Sequence, residues 1–524
     1  MKLLKLNEKQ CILLAKIVFN PNDSAGVHKM DMEGTIFPDV KNIYDIMAIA
    51  YSNIADEYSA KKLYHYNPND YSEIKEIIKE YIYDCGHRSS NTLGVLLEAL
   101  KASYVKKNFG FYEYYTIVES IDMNVEYIYK GSNVFLKCFN EYSSLNQHLT
   151  SKHIKIFPIL KSSYISKFND ALCEFENSNG SVKTGLRHRK EYGMSDTDIN
   201  SRLHNYIIKS DCSMEYPPEI FELADDKRFS TKIMKNGRIK IGIFPLTNIC
   251  LDKLLNVLTD SDYFWIDNMH EKYEDFLCGR YLEAIKICIE HDIDIAVFPE
   301  MLLSNKILEA VKGFLKAQYD CATRFYILGT IWENGCNKAV IVNQNGELIF
   351  EQHKKTPFIY EDREERLSYS DKTINIIDID DIGRLFTLVC KDGDHDNLLN
   401  CIREFYGHMI ILPSFSPSLD MKSASDELAS RYWCSTIMVN SCSALCSDDK
   451  KASKLFFEEE KIGYISLPAK TKNERVYHNI FYRFSEKCQD CDTLCSGGKM
   501  IDFSFDSVNH ENGVKTLPVT IEDF

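Results

Sequence analysis

From Arg238 onward, short apolar runs alternate with amphipathic segments, and this alternation restricts the fold more than any other feature of the chain. The runs "RIKIGIFPL", "IDIAVFP" and "RFYILGTI" are short and rich in β-branched and aromatic residues, the pattern of buried strands. Between them, "FLCGRYLEAIKICIEH" and "NKILEAVKGFLKAQYD" repeat apolar residues three and four apart, the spacing of an amphipathic helix. Two hairpins follow. One is "NKAVIVNQNGELIFEQ", where Asn345-Gly346 suits a tight turn; the other is "TINIIDIDDIGRLFTLVC". Then come helix "NLLNCIREFYG", strand "HMIILPS", helix "ASDELASRYWC" and strand "STIMVNS". Strands interleaved with helices and hairpins predict a layered α/β domain over 236–524. Its last part is less regular, with late strands expected at "KIGYISLPA" and "IFYRFS".

Residues 1–235 read differently. Four stretches, "EKQCILLAKIVF", "VKNIYDIMAIAYSNIADEYSAKKL", "YSEIKEIIKEYIY" and "NTLGVLLEALKASYVKK", carry helical periodicity, with Asp70 and Glu73 as a capping pair for the third. A mostly helical N-terminal region is therefore expected, with "MEYPPEIFELADDKRFSTKIMKNG" as a connector into the next domain.

Charge and composition exclude several roles. The chain has 524 residues, 62 Lys+Arg against 77 Asp+Glu and a net charge of −15, so a nucleic-acid partner is not expected. The basic stretch "SVKTGLRHRK", with Lys183, Arg187, Arg189 and Lys190, reads as a solvated loop. No run of about 18 uncharged apolar residues is present, so no membrane span is expected. The start is broken by Lys2, Lys5, Glu8 and Lys9 and has no secretion-signal pattern. The 18 cysteines are scattered, which fits free thiols in a reducing cytoplasm. "CQDCDTLC" (Cys488, Cys491, Cys495) and "CSALC" (Cys442, Cys446) raise a structural zinc as an alternative to free thiols, but the late cluster alone supplies only three ligands.

Three apolar runs in the second region end on reactive side chains. "IDIAVFPE" ends on Glu300, "GELIFEQHKKTPF" runs into Lys355, and "GRLFTLVCKDGDHD" delivers Cys390. Amide cleavage through a thiol needs a base to take the thiol proton, a donor for the oxyanion and an acid for the leaving nitrogen. A buried glutamate can serve as base and then acid, and a nearby lysine can face the oxyanion.

The ordered set "VFPEMLLS", "KKTPF" and "LFTLVCKD" resembles the Glu-Lys-Cys triad of the nitrilase superfamily of carbon–nitrogen hydrolases, over about 238–445. "IKIGIFPLTN", "NQNGELIFEQHKK", "MIILPSFSPS" and "STIMVNS" are similar to its flanking strands and hairpin. The resemblance implies an αββα sandwich, in which Glu300 is the base, Cys390 the nucleophile and Lys355 the oxyanion cation, preferred over Lys354 because Thr356 follows it. It also implies an orienting glutamate within "EDREERLSYS", with Glu365 favoured over Glu364, and the Lys391 backbone N–H as a second oxyanion donor. Asp392 in the second place after the cysteine leans the resemblance toward amides, with a small-molecule amide as the expected substrate; the resemblance also implies a homodimer or larger homo-oligomer, and neither an organic cofactor nor a catalytic metal is expected. The family's late glycine-serine segment and its usual residue after the cysteine are replaced here. Two other readings therefore stay open: a catalytically inactive binding or scaffold module serving the N-terminal region, and an acyltransferase passing the thioester to an amine.

Overall fold

A computed structural model of the chain describes 47, 50, 51, 54, 66–72, 74–76 and 78–79, then 111–129, 154–158, 203, 206–210, 214–222 and most of 238–524, where the longest breaks are 446–461 and 483–497. Among the described residues, those up to Glu215 form one compact unit and those from Tyr216 onward form another.

In the first unit, helix α1 (Phe111–Tyr129) buries Tyr114, Tyr115, Ile117, Val118 and Ile121 on the face its periodicity sets. Strands β1 (Ile154–Pro158) and β2 (Tyr206–Ser210) pair antiparallel. Glu73, the expected capping partner of Asp70, lies outside the described residues, and Asp70 Oδ1 accepts from Asn67 Nδ2 at 3.0 Å. Asp70 lies inside a 3₁₀ turn, Pro68–Tyr71, whose N-cap is Asn67; Pro68 fits that first position because no N–H is needed there. The stretches at 8–19 and 91–107, and Lys183, Arg187, Arg189 and Lys190, lie outside the described residues.

The second unit is α/β. Its strands and longer helices, in chain order, are β3 (Pro218–Glu222), β4 (Arg238–Ile243), β5 (Leu255–Thr259), β6 (Tyr263–Met269), α2 (Glu271–Glu290), β7 (Ile295–Val297), α3 (Asn305–Ala317), β8 (Phe325–Glu333), β9 (Cys336–Asn343), β10 (Leu348–His353), β11 (Ile359–Tyr360), β12 (Arg363–Glu365), β13 (Ile374–Ile379), β14 (Gly383–Thr387), α4 (Asp396–Glu404), β15 (Gly407–Ser414), α5 (Lys422–Tyr432), β16 (Ser435–Asn440), β17 (Gly463–Lys470), β18 (Arg475–Tyr482), β19 (Lys499–Ser504), β20 (Asn509–Glu511), β21 (Val514–Thr516) and β22 (Val519–Asp523).

One sheet runs β10-β9-β8-β7-β4-β19-β22 and another β20-β21-β17-β16-β15-β14-β13-β3, with β18 on β17. Helices α2 and α3 cover the first sheet. Leu277, Tyr281, Ile285, Ile307 and Val311 pack with Phe298, Tyr326, Leu328 and Val340. Each such side chain taken out of water contributes about 1.5–3 kcal/mol before ordering costs are subtracted. Helices α4 and α5 cover the second sheet, where Ser425 Oγ lies 2.8 Å from the Tyr464 hydroxyl. The inner faces of the two sheets meet. The rings of Phe221 of β3 and Phe350 of β10 meet at 4.8 Å between centroids, tilted by 36°, and Gln352 Oε1 accepts from Asn375 N of β13 at 2.9 Å. A small sheet, β11-β12-β6-β5, pairs with neither of them.

The hairpin turn at Asn345-Gly346 forms with Gly346 at φ 76°, as its residue types require. The stretch read as a connector contains β3, which pairs parallel to β13 at a sheet edge. Pro218 is tolerated there as the first residue of an edge strand.

Candidate active site

Two of the three reactive residues at the ends of apolar runs, Glu300 and Cys390, meet in one buried place, and Lys355 does not join them. Glu300 follows β7 and is fully buried. Its position is held from behind by Gly329, at φ 78°, where a Cβ would lie 2.0 Å from the Pro299 carbonyl oxygen. Thr330 Oγ1 accepts from Met301 N at 2.8 Å and fixes the turn just past the glutamate. From the other sheet, Phe415 N donates to Glu300 Oε2 at 2.9 Å.

The lysine beside Glu300 is Lys354, not Lys355. Lys354 Nζ donates to Glu300 Oε1 at 2.8 Å and to Glu365 Oε2 at 2.6 Å, and none of the three side chains is exposed. Lys355 turns the other way and donates to the Asp371 carbonyl oxygen at 2.5 Å. Strand geometry is the cause. Along β10 the inward residues are Phe350 and Gln352, so the next inward position is Lys354. The expectation of Lys355 as the site lysine is thereby corrected.

Glu365 ends β12 and is buried, while its neighbour Glu364 is exposed. Its Oε2 also accepts from Phe358 N at 3.0 Å. Asn337, the second residue of β9, was not singled out from the sequence. Its Nδ2 donates to Glu300 Oε1 and to Glu365 Oε1, each at 2.9 Å. Its backbone carbonyl accepts from Lys354 N at 2.8 Å. The hairpin register, which puts Asn337 one step beyond the Lys338–His353 pair, was the available signal.

Cys390 begins a 3₁₀ turn, Cys390–Asp394, with the strained left-handed φ of 46°. Its thiol faces the Glu300 carboxylate, Lys354 and the Phe415 N–H. The turn is tied to the lysine loop by Asp392, whose Oδ1 accepts from Lys355 N at 2.9 Å and Thr356 N at 2.7 Å. Beyond Phe415, Asn440 Oδ1 accepts from Ser416 N at 3.1 Å while its Nδ2 donates to the Ser416 carbonyl oxygen at 2.7 Å, which fixes the loop that carries the Phe415 N–H.

The electrostatics follow from burial and from one cation among the acids. Burial pushes the Glu300 carboxyl above its ordinary value against the pull of Lys354, and Glu365 adds to the rise. Burial also pushes up the Cys390 thiol, helped by Glu300 and opposed by Lys354 and the Phe415 N–H. Lys354 is the reverse case: burial disfavours its charge, yet Glu300, Glu365 and Cys390 outweigh it and hold it protonated. At rest, the site therefore holds a protonated thiol beside a glutamate with high proton affinity, next to a fixed ammonium. Such a set can move one proton between sulfur, carboxylate and a bound molecule.

No group of His, Cys, Asp and Glu suited to a metal occurs among the described residues. Cys442 is buried, and Cys446, Cys488, Cys491 and Cys495 lie outside the described residues. No helix among the described residues is long and apolar enough to cross a membrane.

No family model and no curated protein matches the sequence. Solved structures do match. The chain resembles nitrilase-superfamily structures. It is similar to Saccharomyces cerevisiae Nit3, a member of branch 10 of that superfamily, with 15% identity, 47% of this chain and 90% of that chain covered, and a TM-score of 0.30. It is similar to an amidase from Nesterenkonia sp. AN1, with 11% identity, 49% and 94% covered, and a TM-score of 0.29. It is also similar to a glutamine-dependent NAD+ synthetase from Acinetobacter baumannii, with 12% identity, 51% and 45% covered, and a TM-score of 0.32. The likeness is partial, covering about half of this chain.

Proposed function

We propose that the chain hydrolyses a non-peptide amide bond of a small molecule through a thioester at Cys390, on a nitrilase-like αββα framework. The observation that carries this reading is the buried ammonium of Lys354 bonded to both Glu300 and Glu365, with the Cys390 thiol facing the same carboxylate.

Glu300 takes the thiol proton as sulfur attacks the amide carbon. The negative charge then moves to the carbonyl oxygen. Lys354 uses two of its three N–H donors on the carboxylates, leaving one for that oxygen. The backbone N–H of Lys391, next in the turn, is the second donor. Protonated Glu300 passes its proton to the leaving nitrogen, and the C–N bond breaks to give amine and thioester. Glu300 then takes a proton from water, whose oxygen attacks the thioester carbon. The C–S bond breaks, and the proton returns from Glu300 to sulfur. No step needs an organic cofactor.

The raised proton affinity of Glu300 suits both halves of the cycle, since a carboxylate of ordinary acidity would hold the transferred proton too weakly. The test is to incubate the chain with a panel of small primary amides and look for an acyl adduct on the Cys390 peptide by mass spectrometry. Wild type should show the adduct and release ammonia. Cys390→Ala should show neither while melting at a similar temperature. Ammonia release by Cys390→Ala at the wild-type rate would remove the mechanism.

A further inference from the structure

The two buried carboxylates of the site share more than Lys354. Asn337 Nδ2 has two protons, and each goes to a different acid: one to Glu300 Oε1 and one to Glu365 Oε1, both at 2.9 Å. The same residue accepts the Lys354 backbone N–H on its carbonyl oxygen, so it fixes the strand from which the ammonium projects. Asn337 is itself buried, and its Oδ1 has no hydrogen-bond partner among the described residues. The orientation is nonetheless forced. Turning the amide over would point an oxygen at two carboxylates, which costs more than leaving one acceptor unpaired.

We infer that Asn337 is a positioning residue of the amide-cleaving site, holding Glu300 and Glu365 apart in the orientation that lets Glu300 face Cys390. This rests on the reading under Proposed function and adds to it a residue that never touches the reacting atoms.

The choice of an amide has a physical reason. Two carboxylates this close repel, and each rotates freely about its last bond unless both oxygens are held. Glu300 has donors on both: Lys354 and Asn337 on Oε1, and Phe415 N on Oε2. Glu365 has Asn337 on Oε1, and Lys354 and Phe358 N on Oε2. Without Asn337, Glu365 Oε1 keeps no donor among these, and Glu300 Oε1 depends on Lys354 alone. A second cation at this place would orient the acids equally well but would neutralise Glu300 and weaken it as a base. A neutral double donor orients both and leaves that proton affinity high.

The test follows the rate at which iodoacetamide modifies Cys390 in the full chain as a function of pH, read peptide by peptide by mass spectrometry, with thermal melting alongside. The groups that face Glu300 and shape this profile are Lys354, Glu365 and the thiol itself. In Asn337→Leu both donors are lost, Glu300 binds its proton more tightly, and the rise in rate with pH moves upward by about one pH unit. A residue that only filled space would change the melting temperature and leave the profile in place. Asn337→Ser, smaller and with one donor, should shift the profile by about half as much, and it carries the comparison if the leucine variant does not fold. A wild-type chain modified selectively at Cys390, with variant profiles that superimpose on its own, overturns the role of Asn337 alone. A wild-type chain modified no faster at Cys390 than at its other buried thiols overturns the underlying reading and this inference together.

Discussion

At the scale of single residues, the decisive fact is which of two adjacent lysines turns inward. Lys354 places its charge between two buried carboxylates, whereas Lys355 reaches only a backbone carbonyl. Removing the cation leaves two buried acids without their counter-charge, a change that typically costs about 3–5 kcal/mol. It also removes an oxyanion donor, commonly a loss of about 10²–10³ in rate. Lys354→Met should therefore lower both melting temperature and turnover by these amounts, and Lys355→Met should change turnover by less than about tenfold. Equal losses in the two variants would reassign the cation. Glu300 and Cys390 stand out in the sequence because each follows an apolar run that breaks abruptly, whereas Glu365, inside the charged stretch "EDREE", is reached only through the family resemblance. The lysine could not be fixed by its neighbour Thr356. The better guide was the two-residue repeat through Phe350 and Gln352, because a strand's side-chain parity carries on for a residue past its last ladder bond.

At the scale of elements, the site depends on how two loops are fastened together. Asp392 sits in the nucleophile turn and accepts two successive N–H groups of the lysine loop. Asp392→Ala leaves both donors buried and unpaired, so a loss of about 2–4 kcal/mol is expected. Asp392→Asn keeps an acceptor oxygen and should be far milder. The two differ from wild type in a pH-dependent way. Burial pushes the Asp392 carboxyl up to about 6, above its ordinary value near 3.8, despite the Lys355 and Thr356 N–H groups and Lys354. Between these values the folded chain binds a proton that the unfolded chain has released. Wild-type stability therefore falls as pH rises through this window and is flat above it. The asparagine variant has no such proton, so relative to wild type it should gain up to about 3 kcal/mol between pH 4 and pH 6. Urea unfolding at a series of pH values measures this, and a difference constant with pH would show that Asp392 titrates normally.

The elements themselves were legible where a local pattern sufficed. Helices α2 and α3 repeat their apolar residues at the helical period and β10 alternates, while β15 and β16 read as short continuous apolar runs and are buried on both faces. Three features escaped. Strand β3 begins with a proline and carries acids, so it reads as a linker, and only its pairing to β13 makes it a strand. The pair β5–β6 was not separated from the loop around it. Strand β19 pairs antiparallel with β4 more than two hundred residues earlier, with Arg238 bound to Asp502 at 2.7 Å, and no local period encodes so distant a partner.

At the scale of the whole unit from Tyr216 onward, the site belongs to no single layer. Glu300, Asn337 and Lys354 come from the sheet covered by α2 and α3, Cys390 and the Phe415 N–H from the sheet covered by α4 and α5, and Glu365 from the small sheet. The Glu300–Phe415 bond therefore crosses the space between the two large sheets, as does the Gln352–Asn375 bond nearby. Parting the sheets would unpair these groups together with the apolar faces around them, so the site should not loosen ahead of the core. Buried thiols report on this. Cys434 lies in the second sheet's core, and burial alone pushes its thiol up. Among the described residues no base shifts its thiol, so it should react with a small electrophile only when the unit opens. Cys390 is as deeply placed but faces a proton acceptor. In a urea series with pulsed iodoacetamide, native chains should be modified at Cys390 and spared at Cys434. The loss of the pH-dependent Cys390 profile, the gain of Cys434 labelling and the loss of near-ultraviolet dichroism should share one midpoint, as a single cooperative transition requires. A site that loses its profile at clearly lower urea than Cys434 becomes reactive would mean that the two sheets can part while each stays folded, and that the contacts between them, rather than the sheets, limit how long the chemistry survives.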